Sequence, residues 1–178
     1  MRAFLAIPIP TETLAEFSTL QLKLQSIEPN LAWTRAGNLH LTLLFLGERS
    51  GEEIRGIIKT LDKLAWPQAF NLSLDKLGLF GSIKRPKVLW LGPREGEQVS
   101  QLALLVRREL GEAEDFVAHI TLARFRGSAA GGFATLLGSR DQSITLPVER
   151  VVLYESKLAA GLVRYIPRAT WKLEGAEL

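Results

Sequence analysis

The chain has 178 residues, 47% hydrophobic and 23% charged, with a formal net charge of +3. This composition excludes a disordered or collagen-like chain. With no cysteine present, disulfide scaffolds, thiolate zinc sites, cysteine nucleophiles and iron–sulfur clusters are excluded too. The small positive surplus suits a short anionic ligand or an RNA end better than a long duplex, and an ordinary surface explains net charge alone. No apolar run approaches the roughly 18–20 residues that span a bilayer. Residues 1–10 are too short and too proline-interrupted for a signal peptide, so a cytoplasmic protein with no membrane partner is expected.

In chain order, Arg2–Ile7 reads as a strand. Pro10 and Thr11 open a helix with Thr11 as N-cap, and Leu14, Phe17, Leu20, Leu24 and Ile27 recur at helical spacing. Leu39–Leu46 reads as a short apolar strand. Ser50-Gly-Glu-Glu53 matches a capping box and starts a second helix with Ile54, Ile57, Ile58, Leu61 and Leu64 inward. Ala69–Asp75 alternates as a strand, and Pro86–Leu91 is another. Residues 96–110 predict a third helix stopped by Gly111. Phe116–Ala123 reads as a strand, Gly127–Gly138 as a Gly-rich loop, and Ile144–Ser156 and Leu162–Leu173 as closing strands. Helices between some strands and hairpins elsewhere favour an α+β fold over a doubly wound sheet. No linker divides the chain, so residues 1–178 are expected to form one domain. Each half holds a long helix and a strand with the same four-residue signature.

That signature carries the chemistry. The two histidines of the chain open His40-Leu-Thr-Leu43 and His119-Ile-Thr-Leu122. From ordinary residue frequencies, a chance second copy comes to roughly three in a thousand. In a strand, residues i and i+2 share a face, so His projects with Thr while Leu or Ile faces the core. Two such strands facing each other would place two imidazoles and two hydroxyls around one space. Imidazole titrates near neutrality, so one ring can take a proton while the other gives one. Threonine hydroxyls donate to oxygens that carry developing charge. The set suits transfer at phosphorus without a metal or other cofactor. Zinc on two histidines would need a third ligand, and neither motif has an adjacent carboxylate.

The paired motifs resemble the two-histidine (2H) phosphoesterase superfamily. Arg2-Ala-Phe-Leu-Ala-Ile-Pro, Trp33…Asn38-Leu-His-Leu-Thr-Leu-Leu-Phe-Leu-Gly-Glu48, Pro86-Lys-Val-Leu-Trp-Leu91 and His119-Ile-Thr-Leu-Ala-Arg124 resemble its RNA 2′,3′-cyclic phosphodiesterase (2′-5′ RNA ligase-like) branch. The resemblance implies a bilobal α+β fold with an antiparallel sheet in each lobe and a cleft between them. It implies hydrolysis of RNA 2′,3′-cyclic phosphate ends to 2′-phosphomonoesters, with weak reversible 2′-5′ ligation; a monomer is expected. His40 would be the general acid and His119 the general base. Thr42 and Thr121 would hold phosphate oxygens, and Arg124 would reach the phosphate.

Arg124 sits five residues after His119, an odd offset that a regular strand would turn away from the cleft. Its role therefore requires the strand to end or bulge near Ala123. Phe45 stands at the same offset in the first motif. Ala118 departs from the family pattern, in which proline precedes the second histidine. Trp33, Phe80, Trp90 and Tyr154 could stack on a base or pack in the core, and Lys84, Arg85 and Lys87 could form a weak RNA-facing patch. A non-catalytic binder of 2′-phosphorylated or 2′-5′-linked RNA ends, and a phosphodiesterase for a small cyclic nucleotide, are the competing expectations.

Overall fold

A computed structural model describes residues 1–113, 115–126, 137, 143–159 and 161–176. The elements are β1 (Arg2–Pro8), α1 (Leu14–Gln25), β2 (Ala32–Trp33), a 3₁₀ turn (Ala36–Asn38), β3 (His40–Glu48), α2 (Gly51–Leu61), β4 (Phe70–Leu74), β5 (Lys76–Ser82), β6 (Arg85–Gly92), α3 (Glu97–Leu110), β7 (Ile120–Arg124), β8 (Ile144–Val148), β9 (Arg150–Ala159) and β10 (Leu162–Lys172). The main sheet runs β10-β9-β1-β3-β7-β6-β5, with β2 on β7, and β4 and β8 form a separate ribbon. Its strand pairs are antiparallel, as the α+β reading requires.

The sheet has two halves, β10-β9-β1-β3 and β7-β6-β5 with β2. They join at β3 and β7 through one registered pair, Leu41–Ile120. The antiparallel arrays of the two lobes are thus continuous at one rung. Leu41, Leu43, Leu44, Leu46, Ile120, Leu122 and Ala123 are buried beneath them, with Phe17 and Leu24 of α1 and Leu102 and Val106 of α3. Each fully buried Leu or Phe contributes about 1.5–3 kcal/mol relative to exposure, so the core fixes which face of β3 and β7 looks outward.

The helices follow the sequence except at their ends: α1 stops at Gln25, leaving Ile27 beyond it and exposed, and α2 stops at Leu61, leaving Leu64 beyond it. The α2 capping box is present: the Glu53 N–H donates to Ser50 Oγ at 3.2 Å, and the Ser50 N–H to Glu53 Oε2 at 2.7 Å. Gly111 takes the left-handed conformation (φ 69°) that ends α3. Thr11, however, does not cap α1. Residues 11–13 form a turn, and the helix starts at Leu14 behind Thr13, whose buried side chain makes no cap.

The strands differ more. The segment expected from Phe116 is regular only from Ile120, because the Val117 carbonyl faces the His119 ring. Ile144–Ser156 is two strands: β8 pairs with β4, and β9 pairs with β1 and β10. The Gly-rich segment 127–138 lies outside the described residues, apart from Leu137. Strands β2 and β5 were not visible in the sequence. β5 contains Gly78, where the Trp90 ring lies across the backbone and a Cβ would come within 2.1 Å of it. Among the described residues, no helix is long and apolar enough to cross a membrane.

Gly78→Ala should therefore lower stability by about 1–3 kcal/mol through overpacking. Urea unfolding measures this; an unchanged midpoint would contradict the packing described.

Candidate active site

The rung at Leu41–Ile120 organises the site. Antiparallel counting from it places His40 beside Thr121 and Thr42 beside His119. Leu41 and Ile120 face the core, so these four side chains share the opposite face. All four line one cleft of about 500 Å³, together with Arg2, Phe4, Thr34, Asn38, Phe45, Arg124, Ser156, Val163 and Tyr165. The structure thus brings together the five residues singled out in the sequence: His40, Thr42, His119, Thr121 and Arg124.

Arg124 arrives by the required irregularity. Leu89 pairs with Ala123 and Trp90 with Thr121, leaving Leu122 as an extra residue in β7. This β-bulge resets the alternation and turns Arg124 toward the cleft. The first motif has the same device. Leu5 pairs with Leu44 and Ala6 with Thr42, leaving Leu43 extra in β3, and Phe45 lines the cleft at the matching offset.

Each imidazole is oriented by the carbonyl two residues earlier. His40 Nδ1 lies 2.8 Å from the Asn38 oxygen, and His119 Nδ1 lies 2.7 Å from the Val117 oxygen. A carbonyl only accepts, so both Nδ1 atoms carry hydrogen and donate. In the neutral rings Nε2 then holds the free lone pair. Aromatic rings hold the imidazoles in place. Phe4 (4.9 Å) and Tyr165 (5.0 Å, edge-on) contact His40, and Phe80 (4.7 Å, edge-on) and Trp90 (6.3 Å) contact His119.

Burial is the main cause that pushes both histidines below their ordinary 6.5. The orienting carbonyls oppose this, and like charge adds to it: His119 acts on His40, and Arg124 acts on His119. Burial also pushes the Tyr165 phenol above its ordinary 10, against the pull of Arg124 and Arg2, so it stays a neutral hydroxyl. Among the described residues, the lining therefore holds two near-neutral imidazoles, five hydroxyls and two guanidiniums, and no carboxylate. Among the described residues, no three His, Cys, Asp or Glu side chains cluster as metal ligands would. The arrangement can bind an anion and move protons on either side of it.

The LigT-like phosphoesterase profile matches residues 7–90. An RNA 2′,3′-cyclic phosphodiesterase of Thermus thermophilus is 34% identical over 89% of this chain and 83% of its own length. The chain belongs to the LigT-like phosphoesterase family. One of Thermotoga maritima, also named RNA 2′,3′-cyclic phosphodiesterase, is 29% identical over 93% of this chain and all of its own. Escherichia coli LigT, solved with 3′-AMP, superposes with a TM-score of 0.78 at 30% identity, covering 97% of each chain.

Not all of the site was legible. Arg2, Phe4, Asn38, Ser156 and Tyr165 line it but were not singled out. Arg2 and Phe4 alternate on β1, which pairs with β3, so strand alternation gave a signal that lacked only the pairing partner. Tyr165 comes from β10, and no local pattern points to it. Trp33, Phe80, Trp90 and Tyr154 are absent from the lining. Phe80 and Trp90 instead pack against His119, and Tyr154 packs on Phe4 at 5.4 Å. Lys84, Arg85 and Lys87 are exposed at the β5–β6 turn, outside the cleft lining.

Nitrogen-15 NMR of the free protein near pH 7.5 should show both rings as the Nδ1–H tautomer, with titration midpoints below 6.5. An Nε2–H tautomer on either ring would contradict the orientation given.

Proposed function

We propose that the protein hydrolyses RNA 2′,3′-cyclic phosphate ends to 2′-phosphomonoesters by metal-independent acid–base catalysis between His40 and His119. The observation that carries this is the convergence of both His-x-Thr pairs and Arg124 on one cleft. The names of the bacterial relatives support the substrate class.

The residues divide the reaction as follows. Neutral His119 presents a free Nε2 and takes a proton from water as the water oxygen bonds to phosphorus. The bond from phosphorus to O3′ breaks, and protonated His40 gives its Nε2 proton to O3′. One water is consumed, and a 2′-phosphomonoester with a free 3′-hydroxyl results. A proton has moved from His40 to His119, and exchange with solvent resets the pair. The Asn38 carbonyl continues to accept from His40 Nδ1 in the imidazolium, which favours the charged acid. Thr42, Thr121 and Arg124 hold the non-bridging oxygens as charge develops on them. With a 5′-hydroxyl in place of the water, the same steps would form a bond from O5′ to phosphorus as the bond to O3′ breaks, giving a 2′-5′ linkage and a free 3′-hydroxyl.

Residues 1–178 act, on this reading, as one two-lobed catalytic unit, since each lobe supplies one motif. We take it to work as a cytoplasmic monomer on RNA ends; the complete set of groups within one chain supports the monomer.

His40→Ala and His119→Ala should each lower turnover of a 2′,3′-cyclic phosphate-terminated oligoribonucleotide by about a hundredfold or more, while the 2′-phosphorylated product still binds. Wild-type binding without turnover would favour a binder, and preference for a mononucleotide over the oligomer would favour the small-substrate enzyme. Activity should survive EDTA; loss with chelator and return with added metal would overturn the mechanism.

The profile of kcat/KM against pH should be a bell. It rises as the base loses its proton and falls as the acid loses its own. Its centre is the mean of two apparent pKa values that belong to the coupled pair. Both histidines are lowered, so the centre should lie below about 6.5, the midpoint for two unperturbed imidazoles. A centre well above neutrality would contradict the burial argument.

A further inference from the structure

We infer that Gln21 of α1 is a positioning residue for Arg124, acting through the Leu122 bulge. This deepens the phosphodiesterase reading and rests on it for the role of Arg124.

The bulge takes the Leu122 backbone out of the ladder with β6. Its carbonyl instead accepts from the Thr34 N–H at 2.9 Å and from Gln21 Nε2 at 3.1 Å. The same Gln21 nitrogen donates to the Thr34 carbonyl at 2.9 Å. Both partners are carbonyls, so the amide nitrogen has to face them. Gln21 thus ties together the two backbone segments that meet at the bulge.

Its setting makes the choice of residue informative. Gln21 is 8% exposed, on the helix face that also buries Phe17, Leu20 and Leu24. A leucine or methionine would suit that face better on burial alone, because a buried amide is favourable only when hydrogen-bonded. The polar side chain is explained by the carbonyl it serves. Without the bulge, strand alternation from His119 and Thr121 would present Ala123 to the cleft and turn Arg124 away.

The first motif repeats the device with different parts. The Leu43 carbonyl, at the β3 bulge, accepts from Arg107 Nη2 of α3 at 3.2 Å. Arg107 is also 8% exposed. Two chemically unlike donors, on two different helices, reach equivalent carbonyls one residue after each site threonine. What they share is the bulge.

The test is a double-mutant cycle on wild type, Gln21→Met, Arg124→Ala and the double variant. It is read as kcat/KM for adenosine 2′,3′-cyclic phosphate and, independently of turnover, as the Kd for inorganic phosphate. Thermal midpoints check folding, and Gln21→Glu, which keeps the shape but loses the donor, stands in if the methionine variant does not fold. Arg124→Ala should weaken both readouts by about tenfold or more. Gln21→Met should lower them in the same direction, and its effect should vanish in the Arg124→Ala background. A purely structural role would instead give the same fold-loss in both backgrounds, which overturns the inference. So does a folded Gln21 variant with wild-type values. Arg124→Ala with wild-type values overturns the phosphate contact of Arg124 itself, and the inference falls with it.

Discussion

The site depends on one backbone contact, the antiparallel rung between Leu41 and Ile120. Its direction matters as much as its existence. Antiparallel pairing of two His-x-Thr segments sets each imidazole beside the other strand's hydroxyl. The two catalytic candidates are then diagonal across the rung rather than adjacent, and a bound group between them meets a ring and an alcohol on each side. The apolar residues of the same segments face the core, so the packing that stabilises the sheet also prevents a one-residue slip, which would exchange the two faces.

On this frame the bulges add what regular strands cannot. A period-two strand presents positions i and i+2 but never i+5. One inserted residue after each threonine brings Phe45 and Arg124 onto the cleft face. The positive charge of Arg124 lies near enough to His119 to disfavour its protonation, which keeps the Nε2 lone pair available. Burial acts on both rings in the same sense, and the orienting carbonyls act against it. The carbonyls that orient the rings therefore also raise their basicity, while burial and like charge lower it.

How much of this was legible follows from which signals are local. The His-x-Thr spacing, the Ser50 capping box and the Gly111 stop are local patterns, and each reads through to the structure. The odd offset of Arg124 was readable as a demand for a bulge, although the partner strand that defines it was not. Pairing is a long-range choice. The sequence could not show that β3 meets β7, that β8 leaves the main sheet for β4, or that Tyr165 returns from the far edge to sit edge-on to His40. Strand β5 carries no clean alternation of apolar and polar residues, because Gly78 and Gly81 interrupt it. Gly78 in fact makes room for the Trp90 ring, which packs near His119.

The central claim is that both imidazoles face a single phosphate. Titration of the protein with a nucleoside 2′-monophosphate, followed by NMR of both histidine rings, tests it most directly. Both rings should shift together along one isotherm, with one equivalent bound. Response of only one ring, or two isotherms with different Kd values, would contradict it.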